Sequence, residues 1–539
     1  MSSLLRSNLV VATGTAMSRV TGLVRLFVFA AVIGQEALGD AYKLSNETPN
    51  IVYDLLLGGV LSATLVPLFA SYLVDGSESD SEESERATNV VITTAATLMV
   101  ALTVVAVLLA PLIFRLYSVN VSDEIDPDLF RSVGTTLTRI FLIQILFYGL
   151  AGIANAYLQS RRRFFAAAWS PVLANLVIIA SLLSLPDPGG RDWVLGDVLA
   201  NNRFKWTLGL GATLGIACMA FAVVPAMFKA GLRFRPVWDW RHPAVRKLLV
   251  LSGWTIGFAA ANQLSVVVIR NLATSEGPGV ASAYIDAFLW FVLPHGLLAV
   301  SISTTFQPEL ARSVVNRQRT RFVEQMSSGI RITALLTLPA AAGLLVLRRP
   351  IVGLMQRGQF DAVAAHNTAR ALAGLAIGLT AFSIYLFVMR GFYAHHDTRT
   401  PFVLNVFENI INIVLAVVLI ERWGVLGLGL AYAISYVIAS LWALQVMSYK
   451  VTGFSLRGVL GGLWRPALAA VLMAEAMWLV TRNVDGDRGW RAIVQLLVAG
   501  TVGLSVYGAV LYALRVPDLG AVLDRLRARR SGLAVGAKG

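Results

Sequence analysis

Long apolar runs separated by short polar breaks recur from one end of this chain to the other. About twenty residues cross the hydrocarbon core of a bilayer. The runs therefore predict fourteen membrane segments, near 8–33, 39–73, 88–116, 131–159, 165–185, 206–230, 246–275, 279–308, 326–347, 366–394, 402–421, 424–448, 463–481 and 491–514. The first segment carries Arg19 and Arg25 inside its apolar run, and the second opens with Asp40, Lys43, Glu47, Asn50 and Asp54. A charge at the bilayer centre costs roughly 2.5 to 3.5 kcal/mol on insertion scales, so these groups must face protein or water. Snorkelling to the interface is the competing reading for the arginines, but it serves only residues near helix ends, and Arg19 has roughly ten apolar-rich residues on either side. The step from Arg19 to Arg25 turns about 120° around an ideal helix. A bend at Gly22 would bring both guanidinia into one cavity.

The segments repeat. Ser62-x-Thr64-x-x-Pro67 returns as Ser303-x-Thr305-x-x-Pro308 at the ends of segments two and eight, and Pro171-x-x-x-Asn175 returns as Pro401-x-x-x-Asn405 at the starts of segments five and eleven. The offsets, 241 and 230 residues, each equal six spans. An even number of spans gives both halves one orientation, related by an axis along the membrane normal. The expected architecture is an all-α polytopic membrane protein with two six-helix lobes around a central cavity: 1–232 with helices 1–6 and 233–450 with helices 7–12. An extra helix pair over 451–515 and a basic tail over 516–539 complete it. The acidic stretch Asp75–Glu85 is expected to be a flexible connection. The tail segment Asp518–Arg530, with leucines on one side and arginines on the other, is expected to lie on the anionic inner leaflet.

Composition agrees with that class and narrows the functions. Of 539 residues, 56% are hydrophobic and 14% charged, which leaves no soluble domain. The first apolar run continues through two arginines into a second span, which a cleaved signal peptide would not do. The net charge of +14 has a membrane explanation before a nucleic-acid one, because Lys and Arg collect on cytoplasmic loops. With both termini inside, about 25 basic residues fall on inner loops against about 12 outside. Cys218 is the only cysteine, so neither an intrachain disulfide nor a cysteine-built metal site is available. There is no phosphate-binding loop with Lys and Ser or Thr at the required spacing, so the chain does not itself hydrolyse ATP. No catalytic grouping and no cofactor is expected, and energy must come from a gradient, the membrane potential or the substrate's own disequilibrium.

Further polar residues sit inside the segments: Asn262, Gln263 and Arg270 in segment seven, Asp286 and His295 in segment eight, and Arg390 in segment ten. Asn405, Glu408, Asn409 and Asn412 fall three and four apart, on one helical face. That stripe would either line a cation site of carboxylate and amide oxygens or hydrogen-bond neighbouring helices, the second being the commoner role. Arg19 and Arg25 offer planar, permanently charged donors suited to phosphate or pyrophosphate. An added helix pair suits a substrate with a long apolar part riding outside the cavity. A lipid-linked anion fits both features.

The residues that carry these features also form a pattern. Ser18-Arg19-Val20-x-Gly22-x-x-Arg25, Gly39-Asp40-Ala41-Tyr42-Lys43-Leu44, Pro49-Asn50, and Leu61-Ser62 to Val66-Pro67 resemble the N-terminal signature of the MurJ (MviN) family of lipid II flippases, within the multidrug/oligosaccharidyl-lipid/polysaccharide exporter superfamily. Tyr284-x-Asp286, Pro308-x-Leu310 and Arg390-Gly-Phe-Tyr393-Ala-x-x-Asp397-Thr398-x-Thr400-Pro401 extend the resemblance to segment eleven. It implies two six-helix lobes with a lipid-binding helix pair in the bacterial plasma membrane. It also implies an alternating-access cycle that moves undecaprenyl-pyrophosphate-linked peptidoglycan precursor outward. Arg19 and Arg25 match cavity arginines, Asp40 matches their acidic partner at the outer mouth, and Asn50, Asp286 and Arg390 complete the candidate cavity set. Asn405, Glu408 and Asn409 form the candidate cation site. The implied partners are lipid II and membrane lipids, with a coupling ion and cell-wall synthesis proteins as further candidates and no nucleic acid. The chain also departs from the pattern: Tyr53 and Asp54 stand where a pair of arginines is usual, Gly58 where a glutamate is expected, and Ala287 where another cavity arginine is common. An exporter of another polyprenyl-linked glycan therefore stays open, as do a cation-coupled drug antiporter and a non-transporting scaffold of the wall machinery.

Overall fold

The computed structural model describes residues 3–53, 69, 78–161, 163–484 and 486–516. The Ser62–Pro67 copy of the repeat, Asp54, Gly58 and the amphipathic tail lie outside the described residues. Among the described residues every regular element is a helix, because lipid offers no partners for backbone N–H and C=O groups and a spanning helix satisfies them internally. Twelve helices among the described residues are long and apolar enough to cross a membrane. Each coincides with a predicted segment. The remaining two predicted segments, 39–73 and 246–275, are the ones that open with or contain several charges. They correspond to the helix Ala37–Tyr53 and the residues that follow it, and to the helix Pro243–Glu276.

The chain forms two compact units, residues 1–281 with 358–360, and 282–357 with 361–539. The first contains α1 (Ser3–Ile33), α2 (Ala37–Tyr53), α3 (Glu78–Leu108), α4 (Ala110–Tyr117), α5 (Pro127–Leu142), α6 (Gln144–Ser160), α7 (Phe165–Leu183), α8 (Asp197–Ala200), α9 (Asn202–Lys229) and α10 (Pro243–Glu276). The acidic stretch expected as a flexible connection is helical from Glu78 onward, forming the first turns of α3. Glutamate is a good helix former, and negative charge near a helix N-terminus is favoured by the aligned peptide dipoles. By contact α10 groups with the first unit. The Thr274 carbonyl accepts the Ser122 amide at 3.3 Å, and Arg270 pairs with Glu47 at 3.1 Å.

A buried polar chain ties α2, α5, α6 and α9 together. Thr138 donates to the Ser45 hydroxyl at 3.0 Å, which donates to the Gly134 carbonyl at 3.0 Å. The Gln144 amide donates to Asn46 at 3.2 Å, and the Thr213 hydroxyl donates to the Ile140 carbonyl at 3.1 Å. Within α1 the Thr21 hydroxyl donates to the Met17 carbonyl, and Asn175 of α7 reaches the Ser18 carbonyl at 3.2 Å and the Thr21 hydroxyl at 3.0 Å. The second residue of the repeated Pro-x-x-x-Asn motif thus fixes the helix that carries the arginines. α1 runs through Gly22 without interruption.

The second unit contains α11 (Val280–Pro294), a π-helical turn over His295–Ala299, α12 (Val300–Val315), α13 (Arg319–Val346), α14 (Arg348–Gly353), α15 (Ala362–Ala394), α16 (Arg399–Trp423), α17 (Val425–Lys450), α18 (Leu456–Asn483) and α19 (Gly489–Ala513). Small residues let α15 and α17 approach backbone to backbone, the usual means of helix association where lipid removes the hydrophobic drive. A Cβ on Gly374 would stand 2.7 Å from the Leu426 carbonyl oxygen, and one on Gly429 would stand 2.7 Å from the Ala371 carbonyl oxygen. Neither backbone can rotate away. Gly374→Val and Gly429→Val are each expected to cost about 1 to 3 kcal/mol by overpacking. The cost should be read as a lowered midpoint in thermal unfolding of the purified protein, and an unchanged midpoint would mean the two helices separate freely.

The pair α18 and α19 packs on α13. Ala469, Ala470, Met473, Met477, Ala499 and Leu511 are buried between them, and the Tyr507 hydroxyl donates to the Leu335 carbonyl at 2.7 Å. Leu468, Val471, Leu472, Leu497 and Leu504 remain exposed on the pair.

Candidate functional site

In the first unit the candidate residues lie on α1 and α2. Arg19 is exposed and Arg25 half-buried on α1. Among the described residues neither makes a hydrogen bond or an ion pair, although Arg25 lies close enough to Tyr42 to act on its hydroxyl electrostatically. Asp40 is fully buried. Its Oδ2 accepts the amide of Gly279 at 2.8 Å. Gly279 has φ +78°, and a Cβ there would meet the Gln35 carbonyl oxygen at 2.0 Å. Asp40 therefore pins the turn after α10 against the start of α2. Asn50 is exposed on the last turn of α2.

Two more cations belong to this constellation and were absent from the candidate set. Lys43 is buried with its Nζ 5.1 Å from the Phe29 ring centroid, in an aromatic cluster that continues through Tyr42 and, edge-on, Phe141. Arg270 is buried against Glu47. The signal for both was present: each is a cation inside a predicted membrane segment, and such a cation finds a carboxylate, a ring or water. The partners, however, come from far along the chain. Tyr53, where the resemblance implies an arginine, instead lies tilted 5.8 Å from the Tyr148 ring and packs on the cluster around Phe69 and Tyr157.

In the second unit Asn405, Glu408, Asn409 and Asn412 are all buried on one face of α16, as the spacing predicts. Glu408 is 1% exposed. Its Oε1 accepts the Ser435 hydroxyl at 2.9 Å, Tyr436 lies beside the carboxyl, and Tyr436 meets Tyr385 edge-on at 5.4 Å and Tyr432 at a tilt at 4.7 Å. Tyr432, Ser435 and Tyr436 share one face of α17 at spacings of three and four. The Asn409 amide donates to the Asn405 carbonyl at 2.9 Å. The aromatic wall continues through Phe382 to His295, whose Nδ1 lies 3.0 Å from the Ser383 hydroxyl within the π-helical turn. Such turns interrupt the regular ladder and recur at functional sites. Asp286 is buried on α11, Ala287 beside it is fully buried, and Arg390 is exposed on α15.

The segment around Asp397, part of the motif shared with the exporter family, starts α16. The Asp397 carboxylate accepts the Thr400 amide at 3.0 Å, the Thr400 hydroxyl at 2.7 Å and the Lys450 ammonium at 2.6 Å, tying the start of α16 to the end of α17. Partial burial opposes ionisation, but Lys450 and Thr400 outweigh it and hold the carboxyl at about 2. A carboxyl lowered on folding contributes stability above its unfolded value near 4 and loses it as pH falls through the folded value. Asp397→Asn is expected to lower stability at neutral pH by about 1 kcal/mol, a modest figure because Lys450 is half exposed and screened. The gap to the unmodified protein should close between pH 4 and about 2, as read from unfolding midpoints. A gap independent of pH would assign the effect to packing.

An all-α bundle of membrane spans, with guanidinia on its first helix and a carboxyl–tyrosine cluster in its second unit, defines a polytopic carrier rather than a catalyst. The family model described as lipid II flippase MurJ matches residues 29–495, and the chain belongs to that family. Curated relatives include a probable lipid II flippase MurJ of Rhizobium meliloti, 28% identical over 88% of this chain and 86% of the relative. Another, of Vibrio cholerae, is 27% identical over 97% of this chain and 98% of the relative. The lipid II flippase MurJ of Burkholderia cenocepacia is 27% identical over 81% and 83%. Among solved structures, a lipid II flippase MurJ in an inward closed conformation superposes with TM-score 0.75 at 23% identity, covering 94% of this chain and 99% of that one. An inward-facing multidrug resistance MATE family transporter gives 0.58 at 14% identity, covering 80% and 99%. These likenesses bear on the fold.

Proposed function

We propose that this protein carries lipid II, an undecaprenyl-pyrophosphate-linked peptidoglycan precursor, from the inner to the outer leaflet of the bacterial plasma membrane by alternating access. The observation that carries the reading is the pair Arg19 and Arg25: two guanidinia on a membrane helix with no internal partner among the described residues. An anionic head group supplies what they lack, and pyrophosphate matches their two-point geometry. The names borne by the relatives support the same cargo. In this reading both termini are cytoplasmic, helices 1–6 and 7–12 act as the moving lobes, and Asn50, Asp286 and Arg390 add polar contacts to the head group. Asp40 acts through the Gly279 turn rather than on the substrate. Asn405, Glu408 and Asn409 take up a coupling cation. The exposed leucines and valines of α18 and α19 guide the polyprenyl chain. Chain-length tests therefore belong at Val471 or Leu472 rather than at Ala469, which is buried in the core of the pair.

The test is replacement of the resident lipid II flippase in depleted cells, joined to a flipping assay in vesicles holding the purified protein. Restored wall synthesis with lipid II translocation is expected. Wall synthesis that stays blocked while the protein is inserted at native level would overturn the reading.

A second cargo, another polyprenyl-linked glycan, is favoured by one observation. Positions 53 and 287, where the resemblance implies arginines, hold a tyrosine packed against Tyr148 and a buried alanine. Translocation of an undecaprenyl diphosphate glycan lacking the peptide, at a rate equal to or above that of lipid II in the same vesicles, would select it.

A further inference from the structure

We propose that the second unit carries a binding site for the phosphate group of an anionic membrane phospholipid, in a basic cavity where α14, the start of α15 and the α18–α19 connection meet. The cavity, about 180 Å³, is lined by Arg348, Arg349, His366, Arg370, Asp487 and Arg488 among others. Four guanidinia thus surround a space that holds one carboxylate. Among the described residues none of the four makes an ion pair. Arg348 donates to the Leu345 carbonyl and Arg370 to the Trp423 carbonyl at 2.7 Å. These bonds hold both groups in place while leaving most of their five N–H donors unused. Burial, and then the neighbouring charge of Arg349, push the Arg348 guanidinium down from its ordinary pKa. An anion seated among them would relieve that repulsion.

The depth of the cavity selects the source of the phosphate. It lies at the ends of four spans, 319–346, 362–394, 456–483 and 489–513. Trp423 and Trp490 are exposed at the same ends, and such rings mark the head-group level of a bilayer. The connection is seated directly on the short helix, since a Cβ on Gly353 would fall 1.7 Å from the Asp487 carbonyl oxygen. A lipid phosphate bridging Arg349 and Arg488 would join two elements already in contact.

The first unit repeats the device. α4, like α14, follows a long span after a single break, at Leu109 (φ −87°, ψ 3°) and Leu347 (φ −90°, ψ 12°). Pro111 and Pro350 are 239 residues apart, within the offsets of the sequence repeat, and Arg131 and Arg370 share that separation. Each of these arginines donates to backbone carbonyls, Arg131 to Ser118 at 2.8 Å and to Val119. Arg131 lines a cavity of about 560 Å³ with Arg115, Arg139 and Asp128. The remaining arginines do not correspond position by position. Basic character has thus been built twice on one scaffold, which neutral packing would not require.

The experiment uses the full-length protein in detergent after lipid removal. Native mass spectrometry with equal amounts of dioctanoyl phosphatidylglycerol and dioctanoyl phosphatidylcholine should show retention of the anionic lipid at least about fivefold over the neutral one. The double variant Arg349→Gln/Arg488→Gln, both exposed and, among the described residues, without internal partners, should lose at least half of that preference with an unchanged lipid-free unfolding midpoint. Adding Arg115→Gln should lower retention further by removing the first-unit site. Equal retention of both lipids by the unmodified protein, or no loss in the double variant, would overturn the proposal. Stabilisation by inorganic phosphate equal to that by phosphatidylglycerol would overturn the lipid as occupant and assign a free anion.

Discussion

Arg19→Ala and Arg25→Ala are each expected to cut transport at least tenfold, and the double variant to abolish it, while the protein remains folded and inserted. A charge-assisted hydrogen bond contributes about 1.5 to 3 kcal/mol, which is about ten to 150-fold in binding or rate. Neither guanidinium is tied into the fold among the described residues, so its removal leaves no partner stranded. Alanine in a membrane helix also lowers a desolvation cost. Stability should therefore hold or rise as transport falls. Lysine at either position keeps the charge but loses the planar two-point donor, and intermediate activity is expected. The decisive measurement is flux in vesicles together with the unfolding midpoint of the same preparation. Normal flux for both alanine variants would remove the arginines from the transport path and, with them, the main support for an anionic cargo. A scaffold without transport would tolerate both changes.

Glu408→Gln is expected to uncouple transport from its driving ion while leaving the fold intact. Glutamine matches the volume of the side chain and can still accept the Ser435 hydroxyl, so the contact between α16 and α17 survives. What it cannot do is carry a negative charge for a cation or take up a proton. Because burying a charge costs several kcal/mol before its partners return part of it, the neutral amide should raise the unfolding midpoint. Transport driven by an imposed ion gradient should fall at least tenfold, a loss of about 1.4 kcal/mol or more in the coupled step. Tyr436→Phe, which removes one hydroxyl and keeps the ring, should reproduce a smaller part of the effect. Unchanged gradient dependence in Glu408→Gln vesicles would assign the whole Asn405–Asn412 stripe to helix packing, the commoner role of such residues.

The contrast between these two sites follows what could and could not be read along the chain. Hydrophobic length alone determined where the helices run, because a bilayer sets the length of each span and demands that backbone groups bond within it. The cost of a charge in hydrocarbon determined that Arg19, Arg25 and the second-segment carboxylates face something other than lipid. Helical spacing placed Asn405, Glu408, Asn409 and Asn412 on one face. Only the tertiary structure decided which charges are already spoken for. Asp40 accepts an amide 239 positions away, Glu47 pairs with an arginine 223 positions away, and Lys43 lies over a ring from the preceding helix. Those partners depend on how helices distant in sequence lie against one another, and periodicity carries no information about that. Among the described residues the arginines of α1 stand out as unpaired only once those other charges are seen to be paired. The basic cavity at Arg348 was likewise invisible along the chain, since its arginines come from α14, α15 and the α18–α19 connection, and Gly353 lets that connection settle against α14.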